Sequence, residues 1–149
     1  KSTAKRLWAR RLDHSTIFVF IAATYTPFAL LGLHGVMRWV VLAMAWAGAV
    51  LGLALELAWI DSPRWLSAAA YLLVGWVGVL TVPQLFSGMG AAVAVLLIVG
   101  GAVYSLGAVI YATRWPDPFP RVFGFHEVFH LLVVAAAVIQ FVAVSLVVM

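Results

Sequence analysis

The segment that decides the fold is HEVFHLLVVAAAVIQFVAVSLVV, residues 126–148. Beyond its two histidines and one glutamate it is almost wholly apolar. Its length matches the roughly 20 residues that a helix needs to cross the hydrocarbon core of a bilayer. The rest of the chain is similar, since 66% of its 149 residues are hydrophobic and only 9% are charged. A soluble domain of this length cannot bury so much apolar surface, so the chain is predicted to lie in a membrane.

Long apolar runs separated by short polar breaks predict five membrane-spanning helices. The runs are continuous and lack the alternation of apolar and polar residues that is typical of barrel strands, which favours helices. We therefore expect an all-α membrane protein with a single domain over residues 1–149. The predicted spans are Ser15–Leu33, Trp39–Ala58, Trp65–Phe86, Ala91–Tyr111 and His126–Val148.

The basic residues predict how these spans are oriented. Short loops make neighbouring helices antiparallel, so nearly all Lys and Arg fall on one side and Arg38 falls on the other. Positive residues favour the cytoplasm. The starts of the chain and of the last span are thus predicted to face the cytoplasm, with the C-terminus outside the cell membrane. The net charge of +4 is too small and too local to indicate nucleic-acid binding. The predicted cytoplasmic residues are Lys1, Lys5, Arg6, Arg10, Arg11, Arg64, Arg114 and Arg121.

The last span opens with an H-E-x-x-H motif, which indicates a metal site. His126 and His130 are four residues apart, so on a helix both imidazoles face the same way and can bind one ion, usually zinc. The chain has no cysteine, so the remaining ligands must be His, Asp, Glu or water. Asp13 is the best third ligand, because it begins a span on the same predicted side. Two alternatives stay open: a pair of interfacial histidines, or a protease-type site with Glu127 as general base.

Other polar residues are weaker candidates for ligands of this metal site. His14 would point about 100° around the helix from Asp13 and is interpreted as a polar interfacial residue. Glu56 is near the same side and is interpreted as a snorkelling or loop-capping residue. His34 is predicted on the opposite side. Gly48 and Gly52 form a G-x-x-x-G pair, for which packing between helices of the same chain is the expected use.

Two blocks of sequence together resemble a known family. The first is RLDHSTIF at residues 11–18, followed by ATYTPF at 23–28. The second is FHEVFH at residues 125–130, followed by LLVVAA. Both resemble the hemolysin III family, the bacterial branch of the progestin and adipoQ receptor (PAQR) superfamily, to which the adiponectin receptors also belong. The resemblance covers essentially the whole chain.

The resemblance implies a seven-helix bundle, of which the five spans here look like helices three to seven, with the N-terminal part missing. It also implies a zinc ion held by one histidine from the second helix and two from the seventh, with an aspartate near the zinc-bound water. His126 and His130 match the seventh-helix pair, Asp13 matches the aspartate, and the remaining histidine is expected upstream of Lys1. Adiponectin receptors have glutamine where this chain has Glu127. We therefore assign the catalytic role of orienting or deprotonating the water to Asp13.

These observations lead to one functional hypothesis and two alternatives. The leading hypothesis is a zinc-dependent membrane protein that acts on or senses membrane lipids, with hydrolysis of a lipid amide or ester as its reaction. The family name implies instead a pore-forming cytolysin, although these spans lack the polar faces that line a pore. The third hypothesis is a non-enzymatic receptor for membrane homeostasis with structural zinc.

Overall fold

The computed structural model describes residues 3–59, 63–119 and 122–149, without the side chains of residues 3–11, 14 and 64. Several residues that enter the predictions fall outside this part. They are Lys1 and Arg121, together with the side chains of Lys5, Arg6, Arg10, Arg11, His14 and Arg64. The orientation in the membrane depends on most of these residues and stays a prediction.

Six α-helices, two of them joined into one span, make up the described chain. A π-helical turn at Phe28–Gly32 extends the first helix, and a 3-10 turn at Val77–Thr81 links the third and fourth. The helices are α1 (Thr3–Pro27), α2 (Gly35–Ala58), α3 (Arg64–Trp76), α4 (Val82–Gly88), α5 (Ala91–Thr113) and α6 (Phe125–Val148).

Five segments are long and apolar enough to cross a membrane, which confirms the predicted all-α membrane fold. They are Ser15–Gly32, Gly35–Ala58, Trp65–Gly88, Ala91–Thr113 and Phe125–Val148.

The largest boundary error is at the second span, which begins at Gly35 rather than at Trp39. Gly35 has a positive φ of 63°, a conformation that glycine adopts without strain. Arg38 is compatible with this earlier start of the helix, because its guanidinium donates a 3.0 Å hydrogen bond to the carbonyl of Leu33. A charged residue is therefore accommodated within the first turn of this helix.

Close packing of α2 on α1 and α3 depends on the G-x-x-x-G pair. A Cβ atom at Gly48 would lie 2.7 Å from a methyl carbon of Val74, and one at Gly52 would lie 2.2 Å from the ring of Phe18. Phe18 is fully buried and its ring packs on that of Tyr71, with centroids 4.5 Å apart. The expected use of this pair in packing within the chain is thus confirmed.

Glu56 is not the snorkelling residue that the sequence predicts. Its side chain is only 6% exposed, and it accepts a hydrogen bond from the hydroxyl of Ser67, which is also buried. The reason is tertiary: the first turns of α3 cover the end of α2, so the carboxyl group finds a buried partner instead of reaching solvent.

Helix α6 packs chiefly on α5 and also meets α1. Its inward residues follow helical spacing, whereas most of its other side chains face outward, as suits a helix in lipid. The buried residues of α6 are Phe129, Ala136, Gln140 and Ala143. This arrangement brings the start of α6 next to the start of the first span, where Asp13 lies.

Candidate metal centre

The two histidines at the start of α6 face each other. Their rings are nearly perpendicular, at 80°, with centroids 4.6 Å apart, and the Nε2 atoms of His126 and His130 are separated by 3.0 Å. Both nitrogens therefore point at the same small volume, as the four-residue spacing on a helix predicts.

Helix α1 brings a carboxylate oxygen to this volume. Oδ2 of Asp13 lies 3.4 Å from Nε2 of His130 and 3.8 Å from Nε2 of His126. Ligand atoms about 2.0–2.1 Å from a tetrahedral zinc ion are separated from one another by about 3.3 Å. The three observed separations, 3.0, 3.4 and 3.8 Å, bracket this value. The three donor atoms are thus spaced as ligands of one tetrahedral ion would be.

The site is partly open to its surroundings. The side chains of His126, His130 and Asp13 are 42%, 37% and 37% exposed. Among the residues that the structure describes, no other group of three His, Asp or Glu side chains comes this close together.

Aromatic side chains hold the two imidazoles in place. The ring of Phe129 is buried, with its centroid 5.1 Å from that of His130 and 6.2 Å from that of His126. Tyr111, from the last turn of α5, packs on Phe129 with centroids 5.1 Å apart. Because these rings fill the space behind the histidines, they restrict the rotamers that the imidazoles can adopt.

Glu127 caps the helix instead of facing the ring nitrogens. Its Oε2 accepts a 2.9 Å hydrogen bond from the backbone N–H of Gly124, which satisfies a donor at the helix start. Asp117 accepts a 3.0 Å hydrogen bond from the N–H of Phe125. The alternative with Glu127 as general base is therefore not supported by this geometry.

The cap formed by Asp117 was not predicted from the sequence. A Cβ atom at Gly124 would lie 2.7 Å from Oδ1 of Asp117, so a larger residue there would displace this carboxylate. The available signal was an aspartate in the loop and a glycine just before the helix.

The remaining candidates do not join the site. His34 lies between α1 and α2 at the other end of the first span, where its N–H contacts Gln84. Glu56 is bound to Ser67. The side chain of His14 lies outside the described residues.

A cavity of about 140 Å³ lies between the helices, and its lining includes two residues that neighbour the candidate ligands but none of the three ligands themselves. Its wall includes Ile17, one turn after Asp13, and Phe129, which packs on both histidines. Helices α1, α3, α5 and α6 all contribute to it, and most of its lining is apolar. The candidate metal site thus shares a wall with an apolar chamber between helices.

Comparison with known proteins supports the resemblance seen in the sequence. A family model described as Haemolysin-III related matches residues 1–141. "Hemolysin-3" of Bacillus cereus is 32% identical over 131 residues, which cover 87% of this chain and 57% of that protein. A "Hemolysin-3 homolog" of Bacillus subtilis is 33% identical over 130 residues, covering 87% and 58%.

A eukaryotic relative matches over a shorter stretch. The "Adiponectin receptor protein" of Drosophila melanogaster is 42% identical over 65 residues, which cover 40% of this chain and 15% of the receptor. The chain spans somewhat more than half the length of the two bacterial relatives. No solved structure matches it significantly. From the match over nearly its whole length, the chain belongs to the haemolysin-III related family of multi-pass membrane proteins.

Proposed function

We propose that this chain is part of a zinc-binding membrane protein that hydrolyses an amide or ester bond of a membrane lipid. The observation that carries the proposal is the convergence of Asp13, His126 and His130 beside an apolar cavity. The basic residues favour a cytoplasmic location for this end of the bundle in the cell membrane.

Zinc suits the donor set. Two imidazole nitrogens and one carboxylate oxygen, with a fourth position open, are typical of catalytic zinc sites, whereas structural sites are closed by four protein ligands. When bound, zinc lowers the pKa of a coordinated water to about 7 and polarises a carbonyl group. The resemblance adds a histidine from another helix, in which case Asp13 would lie beside the ion.

Asp13 is the residue best placed to orient a nucleophile or accept its proton. Its carboxylate is within 3.8 Å of both imidazoles. The carboxylate of Glu127, by contrast, is occupied by the backbone N–H of Gly124. A general base must be within hydrogen-bond reach of the proton that it takes, and the closeness of Asp13 to both imidazoles supports it in this role.

The cavity supports a lipid as the other reactant. Its largely apolar walls favour a hydrocarbon chain, and they reach Phe129 and Ile17 next to the candidate ligands. A lipid with its chain in the cavity would therefore bring its amide or ester group towards Asp13 and the two histidines.

Pore formation, which the names of two relatives suggest, has less support. The buried polar side chains of the described spans are few and are spread over four of the five spans, so they do not form the continuous polar face that a pore requires. They are Ser15, Glu56, Ser67, Thr81 and Gln140.

The test is hydrolysis of ceramide and of an acyl ester by the full-length protein in lipid nanodiscs, before and after zinc removal. We expect chelation to stop turnover and added zinc to restore it. The variant Asp13→Asn keeps the histidines and is expected to lose turnover by about 100-fold or more, the cost typical of losing a general base.

A zinc-dependent rise in thermal stability without turnover of either substrate would contradict the hydrolase proposal. It would support a receptor with structural zinc. Release of trapped dyes from liposomes in a size-dependent manner, with or without zinc, would favour a pore.

A further inference from the structure

Two buried polar groups stand out in the apolar cavity because neither has a hydrogen-bond partner among the residues that the structure describes. Gln140, on α6, is only 6% exposed, and its Oε1 accepts no hydrogen bond. The hydroxyl of Tyr104, on α5, is buried and also without a partner. Both residues line the cavity. Buried polar atoms without partners are rare in folded proteins, and leaving one unsatisfied destabilises the structure.

Other polar groups in the same wall are already satisfied. The hydroxyl of Tyr25 donates to the carbonyl of Gly75 and accepts a 3.0 Å hydrogen bond from the N–H of Gly78. Ser105 donates a 2.8 Å bond to the carbonyl of Gly101. The two unsatisfied groups are therefore not a general property of this cavity.

The orientation of the Gln140 amide is fixed by its surroundings. Its Nε2 lies 3.4 Å from the carbonyl of Leu97, which can only accept, so Oε1 is the atom left free. A Cβ atom at Gly100 would lie 2.7 Å from Nε2. Glycine at this position makes room for the amide between α5 and α6.

Tyr104 lies one turn after Gly100 on α5. The amide of Gln140 lies against Gly100, and because side chains on a helix lean towards its N-terminus, we expect the ring of Tyr104 to lean towards the same level. Both residues line the cavity, and from the helix geometry we place the free acceptor and the Tyr104 hydroxyl at a similar depth within it. A single ligand hydroxyl can donate to Gln140 and accept from Tyr104.

The distance of Gln140 and Tyr104 from the candidate metal ligands determines the position of the hydroxyl group along the lipid chain. Gln140 follows His130 by ten residues and His126 by fourteen. At 1.5 Å per residue it therefore lies about 15–21 Å along the helix axis from the candidate metal ligands. An extended chain of roughly 12 to 16 carbons covers this distance, because its zigzag advances only about 1.3 Å along the axis for each carbon–carbon bond of about 1.5 Å.

We infer that the cavity selects a lipid chain that carries a hydroxyl group 12 to 16 carbons from the head, bound between Gln140 and Tyr104. The inference rests on the proposed function, because it takes the cavity as the site for the lipid chain. It goes further than the proposed function, because it names a chemical feature of the lipid, a hydroxyl group on its hydrocarbon chain.

Binding of hydroxylated and plain chains to the full protein in nanodiscs tests this inference. The probes are 12-hydroxyoctadecanoate and 16-hydroxyhexadecanoate, compared with octadecanoate, hexadecanoate and 2-hydroxyoctadecanoate by displacement of a fluorescent acyl probe. At least one deep hydroxyl is expected to tighten binding about fivefold to tenfold, the usual effect of satisfying a buried polar group. The 2-hydroxy chain is expected to bind like the plain chain.

Substitutions test which side chains cause the preference for hydroxylated chains. Gln140→Leu and Tyr104→Phe are each expected to remove most of it, and Tyr104→Phe deletes only one oxygen atom, so it keeps the packing. Ser105→Ala is the matched control, because its hydroxyl is already bound to the chain, and it is expected to keep the preference. Equal binding of all probes to the wild-type protein, or a preference that survives both variants, would overturn the inference.

The same measurements separate this inference from the proposed function. The preference is expected to persist in zinc-free protein, since the hydroxyl site is far from the candidate ligands. Tighter binding of hydroxylated chains without any hydrolysis would contradict only the proposed reaction. Hydrolysis without a preference would contradict only the hydroxyl site.

Discussion

Replacing His126 and His130 together with alanine is expected to abolish zinc binding and lipid hydrolysis while the chain still inserts as five spans. The two imidazoles supply two of the three donor atoms that converge in the structure, and Asp13 alone cannot hold the ion. Changes to residues that only orient ligands cost 10–100-fold in metal affinity, so loss of both ligands should cost more than about 100-fold. Metal analysis of purified protein and the hydrolysis assay measure the two effects.

Glu127→Gln is the matched control for the double variant. It lies between the two histidines in sequence, but its carboxylate binds the N–H of Gly124, and a glutamine carbonyl can accept the same bond. Zinc content and turnover are expected to stay at the wild-type level. If this variant lost turnover while keeping zinc, Glu127 would regain the role of general base, and the assignment to Asp13 would be wrong.

Gly52→Ala is expected to destabilise the helix bundle by about 1–3 kcal/mol, the usual cost of overfilling a packed core. The added methyl group would lie 2.2–2.5 Å from ring atoms of Phe18. That ring is fully buried and packed on Tyr71, so it has no free space to move into. Unfolding in a titrated denaturing detergent, followed by circular dichroism, measures the change.

Gly101→Ala is the control for this substitution. Gly101 is also within a membrane helix, but nothing lies within 4 Å of the position that its Cβ would take. Alanine favours helix over glycine by about 1 kcal/mol, so this variant should be as stable as the wild type or slightly more so. Equal stability of the two variants would show that α2 does not approach Phe18 as closely as described.

The five spans, and the proximity of the three candidate ligands to one another, could be predicted from the sequence. A continuous apolar run has one stable form in lipid, which is why the spans could be predicted within a few residues. The four-residue spacing of His126 and His130 sets their relation on any helix. Asp13 was found through the charge bias of the loops, which placed it at the same depth.

Other features depend on tertiary contacts that no local pattern encodes. Glu56 was expected at the surface, but it is buried because Ser67 on the next helix supplies a partner. The cap of Asp117 on α6 depends on the path of the loop between α5 and α6. Tyr104 and Gln140 are ordinary residues in their own helices, and only the packing of α5 on α6 brings them into one cavity.

The role of Phe129 likewise follows from the fold. Within H-E-x-x-H it occupies an unspecified position, yet it is buried and contacts both imidazoles and Tyr111. Its ring also forms part of the cavity wall. The side chain that orients the candidate ligands is thus also a side chain that a bound lipid would touch.

X-ray absorption at the zinc edge, on the full protein in nanodiscs, tests most directly whether Asp13, His126 and His130 surround a metal ion. We predict one zinc per chain, with at least two imidazole nitrogens at about 2.0–2.1 Å and oxygen neighbours at about 2.0–2.2 Å. Protein prepared with ample zinc that holds none, or a spectrum unchanged after both histidines are replaced, would contradict the account.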